Sequence, residues 1–348
     1  MRIVFILPGR GVSGGVRVTC AMATRLRDRG HDVRILYLNG HSVLDRCKAI
    51  RDRMFYSNAE DWLELFAGRV DGFRNLAGCR FAEDELIVAV GMAMSAEMVR
   101  LESLPNPKVQ YIHGATPWAP ELMHKALSIP LPKIIVASYL RQIIETVGQG
   151  EIVALIYNGV DCDEYFSSVP EQRDGVGLIY SSHWAKDPTT TLAVIETLSG
   201  LLPELPIRVF GADRRPSQIS SRNYCRYPSL QEAREIYCRS QVWVMASQSE
   251  GFPAPVLEAM ACGCCVVATD CGGTRDMIID GENGFLVPVG DSDAIVNKVE
   301  LLLADGELRN RMQRRAEKTA EKFNWASSID KLESTLAALA HDSCLLKS

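Results

Sequence analysis

The chain has 348 residues, of which 47% are hydrophobic and 23% charged, with a formal net charge of −5. That length exceeds one ordinary core and suits two domains, and the composition is that of a globular protein. The mild acidity gives no electrostatic case for nucleic acid, and with no run of eighteen apolar residues no membrane span is expected.

RIVFIL (2–7) reads as a buried first strand rather than a signal peptide, because Arg10 follows Gly9 where a cleavage site needs small residues. VRVTCAMATRLRDRG (16–30) reads as a helix stopped by Gly30, and VRILYL (33–38) as a second strand. Residues 43–80 are irregular. Their Trp62, Leu63, Leu65 and Phe66 fit either a core cluster or a lip touching an acceptor or membrane. LIVAVG, VQYIHG, KIIVAS and IVALIYNG follow as strands separated by helical stretches. The polar stretch 167–175 reads as a linker. The alternation then restarts with VGLIYSS, the helix TTTLAVIETLSGLL, the strand IRVFG and the helix QEAREIYCRS. VWVMAS, CCVVATD and GFLVPV complete a second set of strands. Two such halves predict an α/β protein of two doubly wound, Rossmann-like domains facing a cleft, with ligands beyond the carboxyl ends of the strands.

Residues 1–160 hold 19 Lys/Arg against 16 Asp/Glu, and residues 161–348 hold 19 against 27. The mildly basic first half is compatible with an anionic partner or weak peripheral contact with a lipid surface, and equally with a solvated surface. The eleven cysteines are irregularly spaced, and no neighbouring His or Cys pair turns Cys262, Cys264 and Cys265 into a zinc site. Reduced cysteines used as small hydrophobes point to the cytosol.

Gly9, Gly11 and Gly14 spell GxGxxG after the first strand. A dinucleotide dehydrogenase also needs an acid at the end of the second strand. VRILYL ends in Asn39-Gly40, and the next acid is Asp45. What survives is a glycine loop that brings a helix N-terminus close to an anion, with Gly14 and Gly15 the points of approach.

SEGFPAPVLEAMACGCC (249–265) places Glu250 and Glu258 on either side of a proline-stiffened turn. Pro255 fits the first turn of a helix ending before Gly263, which puts Glu258 in that first turn. There its carboxylate can accept both hydroxyls of a ribose whose phosphate lies over the helix terminus. Glu250 precedes the turn and points at what lies beyond the phosphates. Asp161-Cys162-Asp163 and Asp291-Ser292-Asp293 are DxD triplets, but Asp291 reads as a helix cap and Asp161 as part of a turn, so no metal is expected.

EGFPAPVLEAMACG resembles the Glu-x7-Glu signature of glycosyltransferase family 4, retaining nucleotide-sugar-dependent enzymes with the GT-B fold. NGVD (158–161) with Phe166, CGGTRDMIIDGENGFLVPVGD (271–291), FNWAS (323–327), GGV (14–16) and YIHG (111–114) resemble further segments of that family. The resemblance implies a nucleotide-binding domain over 163–323. It implies an acceptor-side domain over 1–162, completed by a C-terminal helix over 324–348 that crosses back. It implies that Glu258 binds the ribose and Glu250 the donor sugar near its anomeric carbon. Gly251, Phe252 and Pro253 would give backbone contacts to the sugar, and Val256 and Leu257 backbone N–H groups to the diphosphate. Gly14 and Gly15 would approach the diphosphate, and His113 would donate a hydrogen bond or stabilise developing charge on the acceptor side. Lys186 matches the family's phosphate-binding Lys, whereas Ser181, Ser182 or His183 stands where the family has an Arg. The implied reaction is transfer from a nucleotide-diphosphate sugar to a glycan, lipid-linked or small-molecule hydroxyl, with retention, without metal or cofactor, in the cytoplasm or at the inner membrane face. A sugar-nucleotide epimerase and a catalytically silent sugar-nucleotide-binding subunit are the rival readings.

Overall fold

The computed structural model describes residues 1–10, 14–39, 61–167 and 173–345, with side chains to residue 341. Gly11 of the glycine loop, Asp45 and residues 168–172 of the polar stretch lie outside the described residues. The chain forms two compact units, Met1–Asn158 with Ala326–Ser348, and Gly159–Trp325.

The first unit runs β1 (Arg2–Leu7), α1 (Gly14–Asp28), β2 (Asp32–Leu38), α2 (Trp62–Leu65), β3 (Arg69–Phe73), β4 (Glu85–Val90), α3 (Gly91–Glu97), β5 (Lys108–Ile112), α4 (Pro120–Leu127), β6 (Lys133–Ile135), α5 (Tyr139–Val147) and β7 (Ile152–Leu155). Its strands lie in the order β3-β2-β1-β4-β5-β6-β7, parallel throughout. Strands covered by helices on both faces must be apolar along their whole length. Thus Ile3 to Leu7 of β1 and Leu86 to Val90 of β4 are buried, while Glu85 at the start of β4 is buried against Arg34. The 62–66 cluster divides: Leu63 and Phe66 enter the core, while Leu65 is 58% exposed. Trp62 and Phe66 lie under the guanidinium groups of Arg17 and Arg27.

The second unit runs β8 (Val176–Ile179), α6 (Pro188–Leu201), β9 (Ile207–Gly211), β10 (Tyr224–Arg226), α7 (Leu230–Arg239), β11 (Val242–Met245), α8 (Ala254–Ala261), β12 (Cys265–Thr269), β13 (Phe285–Val287), α9 (Ser292–Ala304) and α10 (Gly306–Lys322). Its parallel sheet has the order β10-β9-β8-β11-β12-β13. Both sheets therefore reverse direction beside their first strand, between β1 and β4 and between β8 and β11. In doubly wound sheets the ligand crevice opens at this switch point. Arg173 and Asp174, expected in a linker, are fastened within the second unit. Asp174 N–H donates to Arg239 O at 2.9 Å, and Arg173 donates to the carbonyls of Ser240 and Cys262.

The chain enters and leaves the second unit side by side, with Val160 N–H donating to Phe323 O at 2.7 Å. Gly159 permits this, since a Cβ there would lie 2.5 Å from Trp325 N. The last helix, α11 (Trp325–Leu345), belongs to the first unit from Ala326 onward. Arg29 reaches Asp330 and Glu333 at 2.6 Å, and His31 reaches Glu333 at 2.7 Å. Among the described residues no helix is long and apolar enough to cross a membrane, and no three His, Cys, Asp or Glu side chains group as a metal site.

Candidate functional site

The switch point of the second unit gathers Lys186 and Glu250. β8 leads into a short 3-10 helix, Trp184–Lys186, and then Asp187. Asp187 has a left-handed φ of 47° and caps α6 by accepting from Thr190 N–H. This sharp corner turns Lys186 back across the strand ends. The loop after β11 is tied to the same corner, with Gln248 N–H and Ser249 N–H donating to Ala185 O at 2.9 and 3.2 Å. Lys186 Nζ then lies 2.5 Å from Glu250 Oε1, which also accepts from Ser247 Oγ at 2.7 Å. Glu250 is 9% exposed whereas the Lys186 side chain is 30% exposed, so the pair is buried on the carboxylate side and reached by water on the ammonium side.

Backbone contacts hold Glu250 from the other side. Glu250 N–H donates to Cys271 O at 3.1 Å, and Gly273 N–H donates to Glu250 O at 3.3 Å. Gly272, at φ 90°, makes the turn. Gly273 lets the two loops touch, since a Cβ on it would sit 1.9 Å from Gly251 O. Burial first, and Glu250 second, push the Cys271 thiol up to about 12, so it stays protonated beside the ion pair.

Helix α8 starts at Ala254 with Pro253 as N-cap and Pro255 inside the first turn. Glu258 is its fifth residue, one position beyond the first turn in which the sequence reading placed it. It is 7% exposed and accepts from the Tyr237 hydroxyl at 3.0 Å. The terminus also offers an anion less than expected. Pro253 and Pro255 have no N–H, and Val256 N–H donates to Pro253 O at 3.1 Å. Leu257 is buried within the helix, and the Ala254 N–H opens its first turn. Phe252 is buried with its ring 5.6 Å from that of Phe323, and Gly251 supplies the carbonyl under Gly273.

The segment that resembles the family's Arg position is built around an acid. Asp213, two residues beyond β9, accepts from Ser181 Oγ at 2.9 Å and Ser182 N–H at 2.7 Å. His183 Nδ1 accepts from Ala185 N–H at 3.2 Å. Through this bond His183 caps the short 3-10 helix that carries Lys186. An acid after the second strand of a doubly wound half is a recognisable signal. Asp213 in GADRRP carries that signal in the second half. Ser247 and Tyr237 carry no signal beyond their places in an apolar strand and an amphipathic helix. The DxD acids have local roles: Asp291 caps α9 through Ala294 N–H, and Asp161 accepts from Asp163 N–H.

Gly14, Gly15 and His113 belong to the first unit. Gly14 and Gly15 open α1, and a Cβ at either would meet nothing within 4 Å. Protein packing does not demand glycine there. His113 follows β5, its ring edge-on to Tyr111 with centroids 4.6 Å apart. Among the described residues its buried Nε2 has no hydrogen-bond partner, nor do the buried Tyr111 Oη, Thr116 Oγ1 and Asn158 Oδ1. Burial pushes the His113 imidazole down to about 4. The ring is thus neutral at pH 7, which leaves it the hydrogen-bonding role and removes that of a standing cation.

Residues 223–319 match the family described as "Glycosyl transferases group 1". That stretch contains Tyr237, Glu250, Glu258 and the 271–291 loop, while Ser181, Lys186 and Asp213 precede it. The chain is 34% identical over 119 residues to EpsD of Bacillus subtilis, covering 34% of this chain and 31% of EpsD. It is 38% identical over 104 residues to the sulfoquinovosyl transferase SQD2 of Arabidopsis thaliana, covering 29% of this chain and 20% of that one. These matches span less than a third of the relatives' own length. The structure of Anabaena HepE in complex with UDP superposes with a TM-score of 0.77 at 18% identity, over 97% of this chain and all of that one. The chain thus has the fold of the GT-B glycosyltransferases, two Rossmann-like units with parallel sheets, and in the second unit a segment of the group 1 glycosyl transferase kind.

Proposed function

We propose that the protein is a retaining, metal-independent glycosyltransferase. It moves a sugar from a nucleoside-diphosphate donor to a hydroxyl of a glycan, a lipid-linked acceptor or a small molecule. The observation that carries this reading is the Lys186–Glu250 pair at the switch point, followed on α8 by the buried carboxylate of Glu258. The match of residues 223–319 supports it, as does the fold shared with a UDP-bound structure.

In this reading the bond between the anomeric carbon and the phosphate oxygen breaks, and the diphosphate leaves with the electron pair. Lys186 and the Ala254 N–H stabilise that charge in a site of low dielectric. Glu250, fixed by Ser247 and Lys186, hydrogen-bonds the sugar. The acceptor oxygen bonds to the anomeric carbon on the face the diphosphate leaves, and its proton passes to a leaving phosphate oxygen. Neutral His113 hydrogen-bonds a hydroxyl on the acceptor side.

Thermal shifts with UDP, GDP, ADP, CMP, dTDP and NAD test the donor reading. A ligand at 100 times its dissociation constant stabilises by about 2.7 kcal/mol. A selective rise with one nucleoside diphosphate is expected. A rise with NAD alone, or with none of them, contradicts the reading. Donor binding without sugar transfer to any acceptor extract identifies a silent binding subunit instead. Conversion of the donor sugar without an acceptor identifies an epimerase.

A further inference from the structure

Tyr237 is fully buried near the end of α7, outside the residues assigned to donor contact. Its ring is wedged among Tyr165, Phe210 and Trp243, with centroid distances of 6.1, 5.6 and 4.5 Å. Its carbonyl accepts from Ser240 N–H and from Cys264 Sγ, both at 3.0 Å. Ring and backbone are therefore both fixed. The one polar atom at the tip of this rigid group donates to Glu258 Oε2 at 3.0 Å.

We propose that Tyr237 is a positioning residue for Glu258, and that the pair makes the site select ribonucleoside-diphosphate sugars over 2′-deoxy donors. This rests on the donor reading above. The last torsion of a glutamate is soft and roughly two-fold. A fixed hydroxyl donor on one oxygen sets the plane of the carboxylate. A carboxylate accommodates about four donors, so the Tyr237 bond does not exhaust Glu258. A carboxylate in a set orientation can hold the Tyr237 hydroxyl and also accept the paired 2′- and 3′-hydroxyls of a ribose. A 2′-deoxyribose supplies one donor fewer to a buried anion, where a missing hydrogen bond costs most. The phenol stays protonated and remains a donor across the working pH range, since burial and Glu258 hold its proton.

The test is calorimetric titration of the full chain and its Tyr237→Phe variant with UDP and 2′-deoxy-UDP, and with the guanosine and adenosine pairs. The parent is expected to bind the preferred ribonucleotide about 10- to 100-fold more tightly than its 2′-deoxy counterpart. Tyr237→Phe is expected to bring that ratio to about 3 or below by weakening the ribonucleotide alone, since the 2′-hydroxyl contact is what a set carboxylate adds. Equal affinities in the parent overturn the inference without any variant. Equal weakening of both nucleotides in Tyr237→Phe also overturns it, because loss of packing acts on both alike. If dTDP alone binds the parent, the inference is overturned and the donor reading stands, whereas if no nucleoside diphosphate binds, the donor reading fails.

Discussion

Glu250 accepts from an ammonium and a hydroxyl on the same oxygen, at 2.5 and 2.7 Å. Its backbone is pinned on both sides by Cys271 and Gly273. Such a group is held in place before any substrate arrives, so it spends no ordering entropy on binding. Lys186→Ala removes the cation proposed to face the leaving phosphate. Steady-state kinetics are expected to show turnover lowered by roughly 10²- to 10³-fold, as for loss of one charge-stabilising donor. A rate within threefold of the parent would show that another cation does this work. Glu258→Ala is expected to weaken nucleotide binding by about 1.5–3 kcal/mol, the range for hydrogen bonds to a charged group. An unchanged titration affinity would remove Glu258 from the ribose role. The sequence made both carboxylates visible because they flank Gly251, Pro253 and Pro255, residues that announce a stiff turn before a helix. It did not show that the Val256 N–H of that turn donates back to Pro253 O. Nor did it show that Asp213 has bound Ser181 and Ser182.

Among the elements, legibility followed burial. RIVFIL and VWVMAS were readable as strands because central parallel strands are apolar on both faces. β3, RVDGF, and β10, YCR, lie at the sheet edges and are only partly buried. They carry no apolar run, and the sequence did not announce them. Glycines divide in the same way between structural and functional demand. Gly273→Ala places a Cβ 1.9 Å from Gly251 O. It is expected to cost about 1–3 kcal/mol by overpacking and to shift Glu250, lowering both denaturation midpoint and turnover. Gly15→Ala meets nothing within 4 Å. It is expected to raise stability by about 0.5–1 kcal/mol, as for glycine replaced in a helix, while reducing donor turnover. Unchanged kinetics in this variant would remove Gly15 from donor binding.

The whole molecule repeats one strand order, since β3-β2-β1-β4-β5-β6 and β10-β9-β8-β11-β12-β13 are the same winding. This repeat was legible as a restart of the strand–helix alternation. The chemistry at the two switch points differs, with glycines after β1 and an ion pair beyond β8 and β11. The first unit adds a pH dependence through His113, whose imidazole is pushed from its ordinary 6.5 down to about 4. Because the folded value is the lower one, the unfolded chain binds more protons between the two. The contribution of neutral His113 is therefore complete above pH 6.5 and lost as pH falls through 4. Denaturant unfolding is expected to show stability falling by roughly 3 kcal/mol across that window, beyond the carboxylate effects. His113→Asn is expected to flatten that fall, and an unchanged slope would contradict the assignment. The central claim is that the second unit binds a nucleoside diphosphate at its switch point. A crystal structure of the protein grown with the diphosphate chosen by thermal shift tests this most directly. The account predicts the ribose hydroxyls on Glu258 and a phosphate oxygen on Lys186, whereas a nucleotide bound elsewhere, with Glu258 turned away from it, would contradict the account.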